Sequence, residues 1–166
     1  MEATTQAGAE SYLTKVRGRL DAAGYAWLDT GGLFTAAARK KRFQLTKFGM
    51  WETFFVFRQL GQLDRAGLQA FMGGATAFAF ENRSVALPRG LFAGMATFGV
   101  ALAQSVDAAT ALAVREEAPP KHWAANEIPV VFDAGANRLY YFEKTPVWGA
   151  AYHKGFRKQI AELLTP

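Results

Sequence analysis

Cysteine is absent from this chain. That excludes disulfides, thiolate catalysis, zinc knuckles and iron–sulfur ligation. A chain of 166 residues does not need disulfides to hold its core, so their lack suits the cytosol. Histidine is scarce: His122 and His153 are the only two. No HxxxH or HExxH spacing exists, so no metal and no cofactor is expected. Glycine-rich phosphate loops are missing as well. Gly90-Leu91-Phe92-Ala93-Gly94 lacks the Lys-Ser/Thr of a P-loop, and no GxGxxG follows a strand. No Ser stands in GxSxG, so nucleophilic hydrolase chemistry has no positive sign. The start, Met1-Glu2-Ala3-Thr4-Thr5-Gln6, lacks the basic and apolar regions of a secretory signal. The longest uncharged run, Gly90 to Val106, is about 17 residues, near the lower limit for a membrane span. It carries Gly94, Gly99 and Gln104 and reads as a buried strand with its connections. A cytoplasmic protein without a membrane span is expected.

What is present describes a folded domain. Hydrophobic residues make up 51% of the chain and charged residues 20%, far from the disordered class. The 14 Phe point to a thick core. The length suits one globular domain over residues 1–166, with roughly 70% of the unfolded chain's surface removed from water. The net charge of +5 tolerates an anionic partner without naming one.

Periodicity orders the elements. Ser11 can cap a first helix bearing Leu13, Val16, Leu20 and Ala23, which Gly24 stops, so residues 1–9 are expected to fray. Tyr25 to Leu28 reads as a short strand, and Asp29-Thr30-Gly31-Gly32 as a turn. Leu33 to Ala38 and Phe43 to Thr46 read as strand, with Arg39-Lys40-Lys41-Arg42 at a hairpin tip or an exposed strand end. Trp51 to Arg58 has two apolar faces and reads as a central strand. Asp64 caps a helix with an apolar stripe from Leu68 to Ala79. Gly73-Gly74 interrupts that stripe, which implies close approach of another element or a kink. Leu91 to Leu102 is a second central strand, and Asp107 caps a helix closed by Pro119-Pro120. Ile128 to Phe132 and Leu139 to Phe142 form a hairpin. A last helix places Tyr152, Phe156, Ile160 and Leu163 on one face. The expected fold is α+β, a mixed β-sheet flanked by helices, in the order α-β-β-β-α-β-α-β-β-α. Phe55, Phe57, Phe71, Phe98, Val100 and Val131 are expected in its core.

Three groups of residues carry candidate chemistry. Arg39, Lys40, Lys41, Arg42 and Lys47 are interleaved with Phe43, Phe48 and Trp51. Such basic groups neutralise phosphates, and exposed aromatics stack on bases, so this cluster is the candidate for nucleic-acid or other anion contact. His122 and His153 become an acid–base pair if the fold brings them to Asp133, Glu127 or Glu143. Glu143-Lys144-Thr145-Pro146-Val147-Trp148-Gly149 leaves a strand, turns at Pro and enters a helix bearing His153. Trp148, Gly149 and His153 therefore mark a candidate ligand corner, since helix N-termini offer unpaired amides.

The opening α-β-β-β-α-β order resembles that of restriction-endonuclease-like folds, over the first two thirds of the chain. The resemblance implies a metal-holding Asp followed by Glu-x-Lys or Asp-x-Lys on the next strand. Glu52 is followed by Thr53 and Phe54, so the Lys is missing. Asp133 and Glu143-Lys144 have the residue types without the spacing. What the resemblance implies here is a degenerate, nuclease-like module. From the residues themselves, the leading expectation is a non-enzymatic binding domain for an anionic partner, a protein partner or a second copy of itself. The alternative is a small-molecule-binding protein or enzyme with its site at the C-terminal corner.

Overall fold

The computed structural model describes residues 2–44, 49–84, 93–122, 125–145 and 150–166. The elements follow the expected order: α1 (Glu2–Ala22), β1 (Ala26–Leu28), β2 (Ala36–Gln44), β3 (Gly49–Leu63), α2 (Arg65–Glu81), β4 (Ala93–Val106), α3 (Ala108–Glu116), β5 (Lys121–His122), β6 (Ala125–Asp133), β7 (Arg138–Tyr141) and α4 (Ala150–Leu163). The two-residue β5 is the one element the periodicity does not show, because two residues carry no period. All strands join one sheet in the order β1-β2-β3-β4-β6, with β5 and β7 both pairing with β6. β1, β2 and β3 are antiparallel neighbours. β3, β4 and β6 run parallel, and β5 and β7 are antiparallel to β6.

Parallel neighbours require a crossover. Helix α2 makes the first one and α3 lies in the second. Both crossovers step across the sheet in the same direction, so the handedness rule puts both helices on one face. Helices α1 and α4 cover the other. The two cores divide accordingly. Phe55, Phe57, Phe98, Val100 and Phe132 pack under α1 and α4. Phe54, Val56, Ala101 and Val131 pack under α2 and α3. Alternation along each strand produces this split, and it makes β3 apolar on both sides. The six residues expected in the core are all buried. Phe55 and Phe98, direct partners across the parallel pair, stack at 4.6 Å, and Phe156 of α4 meets Phe98 edge-on at 5.7 Å.

Helix starts and stops obey local chemistry. Asp64 Oδ1 accepts the Gly67 amide at 2.7 Å, and Asp107 Oδ1 accepts that of Thr110 at 2.9 Å. Both are N-caps, as their side chains suit them to be. Gly24 takes φ 79, and the Tyr25 amide returns to the Leu20 carbonyl, which closes α1 in a turn that favours glycine.

Several boundaries differ from expectation. Helix α1 begins at Glu2 rather than at Ser11, so residues 2–9 belong to the helix. The reason is tertiary: Ala9 and Tyr12 are buried, and Tyr12 stacks on Phe132 at 3.9 Å. The buried stripe is His153, Phe156 and Ile160 of α4 with Leu164 just beyond it, while Tyr152 is exposed. Arg39 to Arg42 lie within β2, each paired with β3 from Phe54 to Trp51, and not at a hairpin tip. Helix α2 runs unbroken through Gly73-Gly74, where a Cβ at Gly73 would meet nothing within 4 Å. The close approach is at Gly99 of β4 instead, where a Cβ would overlap the Met72 sulfur and press on Phe71.

Two substitutions test this packing in urea unfolding. Phe98→Ala is expected to cost about 3–5 kcal/mol, because its cavity opens beneath two helices. Gly99→Val is expected to cost about 1–3 kcal/mol by forcing α2 off the sheet. Wild-type midpoints for both would contradict the two-faced core.

Candidate functional site

The basic cluster of β2 is split by strand alternation. Lys40 turns toward α1, where its Nζ donates to the Ala23 carbonyl and lies 5.6 Å from the Tyr25 ring centre. Arg39 turns to the opposite face, where Nη1 donates to the Asn82 carbonyl at 2.7 Å. Asn82 is the C-cap of α2. Arg19 of α1 repeats the device, donating to the Thr165 carbonyl beyond the end of α4. Helix C-termini present unpaired carbonyls and the negative end of the dipole, so a cation there is stabilising. Three basic side chains thus close three helix ends. Lys41 stands opposite Glu52 in the ladder. Glu52 is buried, accepts from the Ser84 amide at 3.0 Å and hydroxyl at 2.7 Å, and lies 4.0 Å from Arg83. Lys41 and Arg42 are exposed, but on opposite faces of the sheet. Lys47 lies outside the described residues. Arg39, Lys40, Lys41 and Arg42 therefore do not share one surface.

Of the C-terminal candidates, Asp133 and Glu143 stand apart. Asp133 ends β6, and its Oδ1 accepts the Ala136 amide at 2.9 Å in the hairpin turn, where Asn137 adopts φ 48. Its ladder partner is Arg138, so Glu143 lies back along the hairpin, on the order of 15 Å from Asp133 at strand spacing. There Glu143 pairs with Arg115 of α3 at 2.9 Å. Its hydrogen bond to Arg115 holds its carboxyl below the ordinary range. His153 is buried against Phe142 and Phe156, with ring centres at 5.2 Å and 6.0 Å. His122 joins β5 opposite Ala125, and its side chain lies outside the described part, as do Trp148 and Gly149. Among the described residues no group of three His, Asp or Glu could hold a metal ion, and no helix is long and apolar enough to cross a membrane.

The structure instead opens a groove between α2 and α3, with a cavity of about 420 Å³. The Asp107 amide donates to the Leu63 carbonyl, which ties the starts of the two helices to one end of the sheet. From there α2 contributes Leu68, Met72 and Gly73 to the groove, and α3 contributes Val114. The chain after α3 adds Pro119 and Pro120, and β6 adds Glu127 and Pro129. Arg65 and Glu117 also line it and join to each other through two hydrogen bonds. Both are more than half exposed, so this pair adds little to stability. Sequence reasoning missed the groove because its residues come from distant segments. Two signals were in view, Gly73 in an apolar helix stripe and Pro129 within a strand. Pro129 sits where the outer edge of β6 leaves β5 at Asn126 and takes up β7 at Val130. A proline is tolerated in such a gap.

No protein-family model, no curated protein and no solved structure matches this chain.

Two measurements check these assignments. Arg39→Ala and Lys40→Ala should each lower stability by about 1 kcal/mol in urea unfolding, through loss of a helix-end cation. Unchanged stability in both would show that the caps do not hold. The lowered pKa of Glu143 implies stability present above the ordinary carboxylate range and lost as pH falls through its folded value. Arg115→Met should therefore be less stable than wild type near neutrality. That difference should shrink as pH falls below the ordinary carboxylate range, and a difference independent of pH would contradict the pairing.

Proposed function

We propose that this chain is a ligand-binding domain that holds a small organic molecule in the groove between α2 and α3. The observation that carries this reading is the groove itself. Its volume falls within the range of small-molecule sites, and its walls are mostly apolar with a few charged groups. The basic residues of β2 support an anionic partner less well, since Arg39 and Lys40 serve helix ends on opposite faces. The candidate acid–base residues of the C-terminal segment support a catalytic site less well, since Asp133 and Glu143 make separate local contacts.

Gly73 supplies the test. It lines the groove, and a Cβ there meets nothing within 4 Å, so a larger side chain extends into open space. Gly73→Leu should fill the groove and keep the fold. It should even gain up to about 1 kcal/mol from helix propensity. Saturation-transfer NMR with a library of neutral and charged fragments is the measurement. Fragments that bind the wild type should lose their signal with Gly73→Leu. If no fragment binds, or if binders ignore the substitution, the groove is not the site.

A further inference from the structure

We infer that the molecule held in the α2/α3 groove is uncharged and mostly apolar. This inference rests on the ligand-binding reading of the groove and adds the chemical class of the ligand. Among the described residues, the charges on the groove wall are already engaged within the protein. Arg65 Nη1 and Nη2 donate to Glu117 Oε1 and Oε2, a bidentate pair between the first residue of α2 and the residue that closes α3. Glu127 of β6 also has an interaction within the protein. Thr110, on the same wall, donates its hydroxyl to Asp107 Oδ2 at 2.6 Å.

The rest of the wall offers little to an ion. Pro119, Pro120 and Pro129 line the groove and have no N–H to give. Met72 and Val114 lie within helices, where their amides bond to the preceding turn, and both side chains are apolar and buried. An anionic ligand would have to displace Glu117 from Arg65, and a cationic one would have to displace Arg65 from Glu117. Either exchange leaves one member of the pair without its partner, and the charged ligand also loses its own hydration. An uncharged apolar molecule meets neither cost and gains by leaving water. Gln69 lines the groove and is exposed. Its amide can donate to or accept from one neutral polar group of the ligand, a hydroxyl or a carbonyl.

Three probes of one shape separate these cases: 3-phenylpropan-1-ol, 3-phenylpropylamine and 3-phenylpropanoate. Their binding at neutral pH is followed by NMR at the Met72 methyl group. The alcohol should bind the wild type at least about tenfold more tightly than either ion. Glu117→Gln releases Arg65, and should tighten the propanoate about threefold while leaving the alcohol unchanged. Arg65→Gln releases Glu117, and should do the same for the amine. Both side chains are more than half exposed, so both variants should fold. Equal binding of the three probes, or tighter binding of either ion to the wild type, overturns the inference while the groove stands. Ions that gain nothing from these substitutions overturn it as well, since the pair then does not set the selectivity. If the alcohol does not shift Met72, the inference is again overturned. The fragment screen against Gly73→Leu then decides separately whether the groove binds anything.

Discussion

Parallel pairing of β3, β4 and β6 is the constraint from which the rest of the architecture follows. These strands are apolar on both faces, so neither face can be left to water. Two crossovers of one hand send α2 and α3 to the same side, and the opposite side falls to α1 and α4. The helices must then sit close to the sheet. At β4 this depends on Gly99, because Met72 occupies the space a side chain would take. Met72 is suited to that place, since its unbranched thioether fills irregular gaps. The groove arises from the same geometry. Helix α2 is anchored down on Gly99, α3 ends after Glu116 before two prolines, and Gly73 leaves the space between them open.

The charge of the chain has a structural use that its total conceals. An excess of +5 invites a search for an anionic partner. Much of it is engaged within the fold. Lys40, Arg39 and Arg19 donate to carbonyls at or just beyond the ends of α1, α2 and α4, and Arg157 donates to the Lys144 carbonyl. The ends of α1, α2 and α4 each gain a cation from another element, so the same contacts also fix how these helices sit against the sheet and against each other. Glu52 has the complementary role. As a buried carboxylate it would be costly alone, but Ser84 donates to it twice, and this draws the chain leaving α2 down onto β3.

Most of the fold was legible in the order of residues, because short-range rules govern it. Asp64 and Asp107 announce helices by their capping side chains, and Gly24 announces an end. The two-faced apolar pattern of Trp51 to Arg58 marks a central strand. The errors have the opposite origin. Residues 2–10 carry no strong local signal for helix, and their place follows from the burial of Ala9 and the stacking of Tyr12 on Phe132. His153 and not Tyr152 is buried, because the exact rotation of α4 depends on the sheet beneath it. The basic run of β2 looked like a patch because neighbours in sequence seem to be neighbours in space. On a strand they point to opposite sides.

By itself, then, the sequence determined an α+β domain without cysteine chemistry, its element order, its helix caps and its aromatic core. All of these rest on composition or on contacts a few residues apart. Tertiary structure decided where charge is used and where a cavity lies. Arg39 and Asn82, Lys40 and Ala23, and Gly73, Val114 and Glu127 are far apart along the chain. Only strand pairing and the two crossovers set the distances between them, and no local pattern encodes a distance of that kind.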